Sequence, residues 1–265
     1  MDKRTSPDFI EALARGLEVI RAFDGVTSLS LTEVAQRTDL ARPTARRILI
    51  TLDALGYVRS QDGRFELTAR VLELGVSVYS GSDPWTMAVP RLRELVQQTH
   101  ESSSLAVLDG SDIVYVARVA VPKLVALSVS IGTRFPAAQT SLGKVLLAGM
   151  APEDVVETLA AESRSGIMPV TVPAPEELAE ELARVRDQGW AVADQELAPA
   201  IRSVAVPVRS PDGRVLAAMN VNAHAAETSL EKLRSEHLPH LMRAAADLGV
   251  DYALRARVPD ETVSA

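Results

Sequence analysis

The chain has no cysteine among its 265 residues. A disulfide framework and a thiolate metal site are therefore excluded, and a reducing compartment fits. It also lacks any apolar run approaching the roughly 18 residues of a membrane-spanning helix. The opening MDKRTSPDF carries no signal-peptide core, so the expected location is the cytoplasm, with no membrane partner. No glycine-rich phosphate loop, dinucleotide fingerprint or internal repeat occurs. His237 and His240 stand three apart without an acidic or cysteine partner at ligand spacing, and His100 and His224 are isolated, so no metal site is expected. Ser141-Leu142-Gly143-Lys144 spells the S-x-x-K nucleophile motif, but the Ser-Asp-Asn and Lys-Thr-Gly triplets that would complete it are missing. No catalytic residue and no cofactor is expected.

Positive charge is scarce overall. The formal net charge of -7 would argue against a nucleic-acid binder if it were spread evenly. It is not: residues 1–80 are charge-balanced, and the whole acidic excess falls in residues 81–265. Between Arg42 and Arg70 the arginines Arg42, Arg46, Arg47, Arg59, Arg64 and Arg70 face only Asp53, Asp62 and Glu66.

That basic stretch has the local grammar of a winged helix-turn-helix. Phe9 to Phe23 places Ile10, Leu13, Leu17, Ile20 and Phe23 on one stripe, a first helix expected to pack under the motif. Ser30 with Glu33 forms a capping box, and Leu29 and Val34 a hydrophobic staple, for a short helix from about Leu31 to Thr38. Pro43 is tolerated only in a first helical turn, so a second helix starts near Arg42 or Pro43 after a turn of about four residues. Its apolar positions are Ala45, Ile48, Leu49, Leu52 and Leu55; Arg42, Thr44, Arg46, Arg47 and Thr51 stay outside that stripe. A recognition helix presents such a polar face to the major groove: Thr44, Arg46 and Arg47 near base edges, Arg42 on phosphate. Gly56 ends it, and Tyr57 to Leu67 reads as a hairpin turning at Asp62-Gly63, with Arg59 and Arg64 as phosphate contacts of the wing.

The predicted organisation is a DNA-binding domain at 1–67, a linker helix and boundary at 68–82, an α+β domain at 83–255 and a flexible tail at 256–265. Thr68 to Ser80 is expected to be helical and apolar on more than one side, and Gly81 to Pro84 marks the boundary. Strands are expected at Ser104–Asp109, Ile113–Val119, Leu124–Ser130, Trp190–Ala193, Ser203–Arg209 and Arg214–Asn222. Helices are expected at Thr140–Gly149, Pro152–Ala161, Pro175–Gln188 and from Leu230 to about Arg255, despite Pro239. Such a mixed sheet with helices on its faces suits a small-molecule sensor. Asn220 and Asn222, two apart on a strand, point to one face, opposite Met219, Val221 and Ala223. The helix start at Thr140 to Lys144 favours an anion, and Arg134 just upstream is placed to clamp a carboxylate.

The winged helix, the run Gly132 to Ala148 and the block GWAVADQELAPAIRSVAVPV from Gly189 to Val208 together resemble the IclR family of bacterial transcription regulators over nearly the whole chain. FIEALARGLEVIRAF, DQEL with Arg202 to Val208, and Met219 to Ala225 resemble its PcaR/PobR branch. The resemblance implies a GAF-like effector domain, a homodimer or dimer of dimers on operator DNA, and a small carboxylic acid as effector. The branch implies aromatic-acid catabolism, of protocatechuate or 4-hydroxybenzoate through the β-ketoadipate pathway; another catabolic pathway, or a ligand-independent DNA binder, is the alternative. The family's effector positions fall on Ser141, Leu142, Ala193, Asp194, Ser203, Asn220 and Asn222. Two departures stand out: Ala200 where the family's block usually has glycine, and Ser203 where many members have cysteine.

Overall fold

The computed structural model describes residues 6–74, 85–122 and 129–255. Two compact units, Met1–Ser82 and Asp83–Ala265, each have their own core.

In the first unit, α1 (Glu11–Arg21), β1 (Leu29–Ser30), α2 (Leu31–Arg37), α3 (Arg42–Ala54), β2 (Val58–Gln61) and β3 (Arg64–Leu67) surround Val19, Phe23, Val34, Ala45, Leu49, Leu52 and Val58. Both halves of the capping box are present: Glu33 N–H donates to Ser30 Oγ, and Ser30 N–H to the Glu33 carboxylate. Those bonds, first of all that from the Ser30 backbone, hold the Glu33 carboxyl below the usual carboxylate range. Pro43 lies in the first turn of α3, where its missing N–H costs nothing. Asp62 and Gly63 both have positive φ, the conformation of a two-residue hairpin turn. Leu29 also pairs with Phe65, which adds a third strand to the wing that the staple alone did not announce.

Two expectations need correction here. The packed face of α1 carries Val19, Ile20 and Phe23, while Ile10, Leu13 and Leu17 are half or more exposed, because that stripe lies round the helix from the face that meets α3. After β3 the chain forms a 3-10 turn, Ala69–Leu72, capped by Thr68, rather than opening directly as an α-helix. Thr68 Oγ1 donates to the Gly56 carbonyl and Arg70 stacks on Tyr57, so this segment is tied to the wing. The rest of the expected linker helix, residues 75–80, and the boundary at 81–84 lie outside the described residues.

In the second unit a six-stranded antiparallel sheet is built from β4 (Ser102–Asp109), β5 (Asp112–Val119), β6 (Arg134–Pro136), β7 (Ala191–Asp194), β8 (Ile201–Arg209) and β9 (Val215–His224), in the order β6-β5-β4-β9-β8-β7. Strand alternation divides it into two cores. Val204, Val206, Val208, Met219, Val221 and Leu105 face α4 (Ala88–Thr99) and the C-terminal helix. The other face carries Ala106, Ala205 and Ala218, small residues over which α5 (Ser141–Ala148) lies with all of its residues buried. Helices α6 (Pro152–Leu159) and α7 (Pro175–Gln188) cover that side.

The C-terminal segment runs α8 (Leu230–Lys232), a π-helical turn (Leu233–His237) and α9 (Leu238–Arg255). Pro239 cannot donate to the preceding turn, and the π turn just before it absorbs the irregularity without breaking the helix. Of the expected strand Leu124–Ser130, residues 124–128 lie outside the described residues, and Val129 and Ser130 are not in a strand; the short β6 that pairs with β5 was not anticipated.

Candidate functional site

Two places concentrate chemistry, one in each unit. On α3, Arg42, Arg46, Arg47 and Thr51 are exposed and Thr44 is half-buried, and among the described residues the three arginines have no carboxylate partner. Thr51 donates back to the Arg47 carbonyl, so its hydroxyl keeps only acceptor capacity. On the wing, Arg59 forks onto Glu66, at 2.7 Å and 3.1 Å, and Arg64 bonds the hydroxyl and carbonyl oxygens of Ser28 and approaches Glu33 at 3.4 Å. The recognition-helix cations stand free on one face, which is the electrostatic footprint of a nucleic-acid contact.

In the second unit a cavity lies between the sheet and the start of α5. Tyr115, Phe135, Gln139, Thr140, Ser141, Leu142, Ala193, Glu196, Leu197, Ile201, Ser203, Asn220, Asn222 and Val129 form its walls. Thr140 caps α5 by accepting from Gly143 N–H at 2.9 Å. A Cβ at Gly143 would run into the Ala137 carbonyl, so only glycine lets α5 approach so closely. The Ser141 and Ser203 hydroxyls are 2.7 Å apart, joining helix and strand across the cavity. Burial pushes the Tyr115 phenol up to about 12, so it remains a donor at neutral pH. The free cavity measures about 30 Å3, room for an ordered water but not for an aromatic ring.

Beneath this wall Lys144, 1% exposed, holds Glu196 and Glu181 at 2.7 Å each. That three-charge cluster ties α5 to α7 and to the loop over the cavity. The loop also contains two left-handed non-glycine residues, Gln195 and Ala200.

Comparison with known proteins decides what these sites belong to. The model of the IclR helix-turn-helix domain matches residues 12–62, and that of the bacterial transcriptional regulator IclR C-terminal domain matches residues 77–250. The chain belongs to the IclR family. It is 39% identical to the Pca regulon regulatory protein of Pseudomonas putida, over 91% of this chain and 84% of that protein. It is 34% identical to the p-hydroxybenzoate hydroxylase transcriptional activator of Acinetobacter baylyi, over 91% of each. Among solved structures it resembles an IclR homologue of Microbacterium hydrocarbonoxydans complexed with 4-hydroxybenzoate, with a TM-score of 0.77 and 25% identity over 92% of this chain and 99% of that one. This IclR-family chain is thus a regulator with a DNA-binding helix-turn-helix, not an enzyme.

Within the IclR fold, the sequence-predicted effector positions Ser141, Leu142, Ala193, Ser203, Asn220 and Asn222 all reach the one cavity. Two do not. Arg134 is held by Asp109 at 2.7 Å and Asp112 at 3.2 Å, because on β6 it points away from its neighbour Phe135, which lines the cavity. The carboxylate clamp expected at Arg134 is therefore not formed by this geometry. Asp194 is likewise spent on Arg202, through contacts of 2.9 Å and 3.2 Å. Sequence reasoning missed Tyr115, Val129, Phe135, Gln139, Glu196, Leu197 and Ile201. Strand parity would have flagged Phe135 once Arg134 was known to face outward, but no local signal marks the others.

Proposed function

We propose that this chain is a transcription regulator of aromatic-acid catabolism, acting in the cytoplasm, whose effector is a small aromatic acid of the 4-hydroxybenzoate or protocatechuate class bound in the cavity beside α5. The observation that carries the reading is convergence: polar groups distant in sequence, from α5, β8 and β9, meet in one cavity. Two relatives' names refer to the Pca regulon and to p-hydroxybenzoate hydroxylase, and a homologue of the same fold was solved with 4-hydroxybenzoate. The cavity is small, about 30 Å3, so the acid enters by displacing the loop between β7 and β8 that carries Leu197. Binding then favours one conformation of the regulator over another, and the DNA affinity shifts by that difference.

On operator DNA, Thr44, Arg46 and Arg47 reach base edges, with Thr51 beside them, and Arg42, Arg59 and Arg64 take phosphates. The ion pairs of Arg59 and Arg64 are exposed and worth little, so exchanging a carboxylate for a phosphate is cheap. We read the active form as a homodimer or dimer of dimers; the exposed apolar stripe of Ile10, Leu13 and Leu17 supports self-association.

A thermal-shift panel of 4-hydroxybenzoate, protocatechuate, β-ketoadipate and unrelated acids tests the effector assignment. An acid present at 100 times its Kd stabilises the protein by about 2.7 kcal/mol. A rise confined to acids of this catabolism supports the assignment; a flat panel refutes it.

A further inference from the structure

Arg118, on β5, has no carboxylate partner among the described residues. Register puts it on the cavity side of the sheet: Arg118 pairs with Ser104, Ser104 with Asn220, and Asn220 with Ala205, so these side chains share one face. The irregularity between Leu105 and Ala106 produces this placement, since Tyr115 faces the cavity, Ala117 packs into the opposite core, and Arg118 returns to the cavity face. Its Nη1 donates to Ser104 Oγ at 2.9 Å, leaning toward Asn220. Its Nε is buried with no partner. The other sequestered bases are neutralised: Arg91 by Asp251, Arg134 by Asp109 and Asp112, Lys144 by Glu181 and Glu196, and Arg202 by Asp194. Burial pulls Arg118 below the usual guanidinium value.

A second buried atom is also unfilled. Asn222 Oδ1, an acceptor on the cavity wall, has no donor. Native proteins rarely leave buried polar atoms unpaired, and a donor and an acceptor left open on one face describe the complement of a ligand. The two stand on β5 and β9 with β4 between them, Asn222 two residues along from the register partner Asn220, so their backbones are roughly 12 Å apart, and Arg118 stands beside the cavity on the same sheet face.

We propose that Arg118 is the anion anchor of the effector pocket and Asn222 its hydroxyl acceptor, so that the site selects a small molecule with a carboxylate at one end and a hydroxyl at the other. This rests on the reading of the cavity as the effector site. The carboxylate takes the free Nε and the adjacent Nη of Arg118, and the hydroxyl donates to Asn222 Oδ1. An acid without the hydroxyl leaves the acceptor unfilled; a hydroxylated neutral amide leaves the cation unpaired.

Isothermal titration of the full-length protein with 4-hydroxybenzoate, benzoate and 4-hydroxybenzamide tests it, on wild type, Arg118→Gln and Arg118→Lys. Wild type binds the hydroxy acid at least about 10-fold more tightly than either analogue. Arg118→Gln loses about 30-fold or more for the acid and little for the amide, and Arg118→Lys recovers part of the loss. The melting temperature of ligand-free Arg118→Gln is equal to or above that of wild type, because the substitution removes a half-buried charge that has no carboxylate partner among the described residues; a purely structural arginine would lower it. Equal wild-type affinity for acid and amide, a reading that needs no variant, overturns the anchor. So does undiminished acid binding by Arg118→Gln, which leaves the effector reading intact. Failure of wild type to bind any of the three overturns both.

Discussion

Replacing Lys144 by methionine keeps nearly the same volume and removes a single charge. The lysine side chain is 1% exposed, while its partners Glu181 and Glu196 are 27% and 23% exposed. Breaking a buried ion pair costs roughly 3–5 kcal/mol, chiefly because the remaining charge is stranded. Here two carboxylates are stranded against each other, but each retains some water, which places the loss near the lower figure, about 3 kcal/mol. For a domain of this size that lowers Tm by roughly 6–12 °C. Urea unfolding of ligand-free protein at neutral pH measures the difference. The diagnostic is the triple variant Lys144→Met, Glu181→Gln, Glu196→Gln, which removes the stranded charges and recovers about 2 kcal/mol or more. If the triple variant is no more stable than Lys144→Met alone, the loss comes from packing and the electrostatic account of this cluster is wrong.

Arg47→Ala weakens operator binding by roughly 1–3 kcal/mol and random-sequence binding much less, read by fluorescence anisotropy on the two DNAs; an equal loss on both reassigns Arg47 to phosphate. Ala200 has φ +63°, where a non-glycine residue costs roughly 1–2 kcal/mol. Ala200→Gly, which gives back roughly 0.5–1 kcal/mol of chain entropy, raises Tm by about 2 °C; a fall in differential scanning calorimetry refutes the strain. Burial holds His237 below its ordinary value of 6.5. Its contribution to stability is complete above pH 6.5 and is lost as pH falls through the lowered native value. Urea midpoints of wild type therefore fall more steeply below that pH than those of His237→Gln; parallel profiles contradict this.

How much of this was legible in the sequence follows from distance along the chain. The winged helix rests on short-range signals, the Ser30 to Glu33 capping box, Pro43 at a helix start and Asp62-Gly63 at a turn, and each has the predicted geometry. The alternation of Asn220 and Asn222 against Met219, Val221 and Ala223 is equally local, and it correctly put the asparagines on the cavity face. What failed depends on register. Arg134 sits one residue from Phe135, and that single step decides which of them reaches the cavity. Arg118 reaches the cavity face only because of an irregularity between β4 and β5. Lys144 meets Glu181 and Glu196 across separations of 37 and 52 residues, which no motif spacing encodes. The glycine-to-alanine departure at 200, visible in the sequence, acquires meaning only with its positive φ.

The central claim is that an aromatic acid occupies the cavity between α5 and the sheet. Titration calorimetry of 4-hydroxybenzoate and protocatechuate into wild type and into Ser203→Leu, which fills the space opposite Ser141, tests it most directly. The account predicts saturable binding of one of these acids to wild type, at one site per chain, and its loss in Ser203→Leu with DNA affinity retained. Binding undiminished by the leucine, or no binding of either acid to wild type, would contradict it.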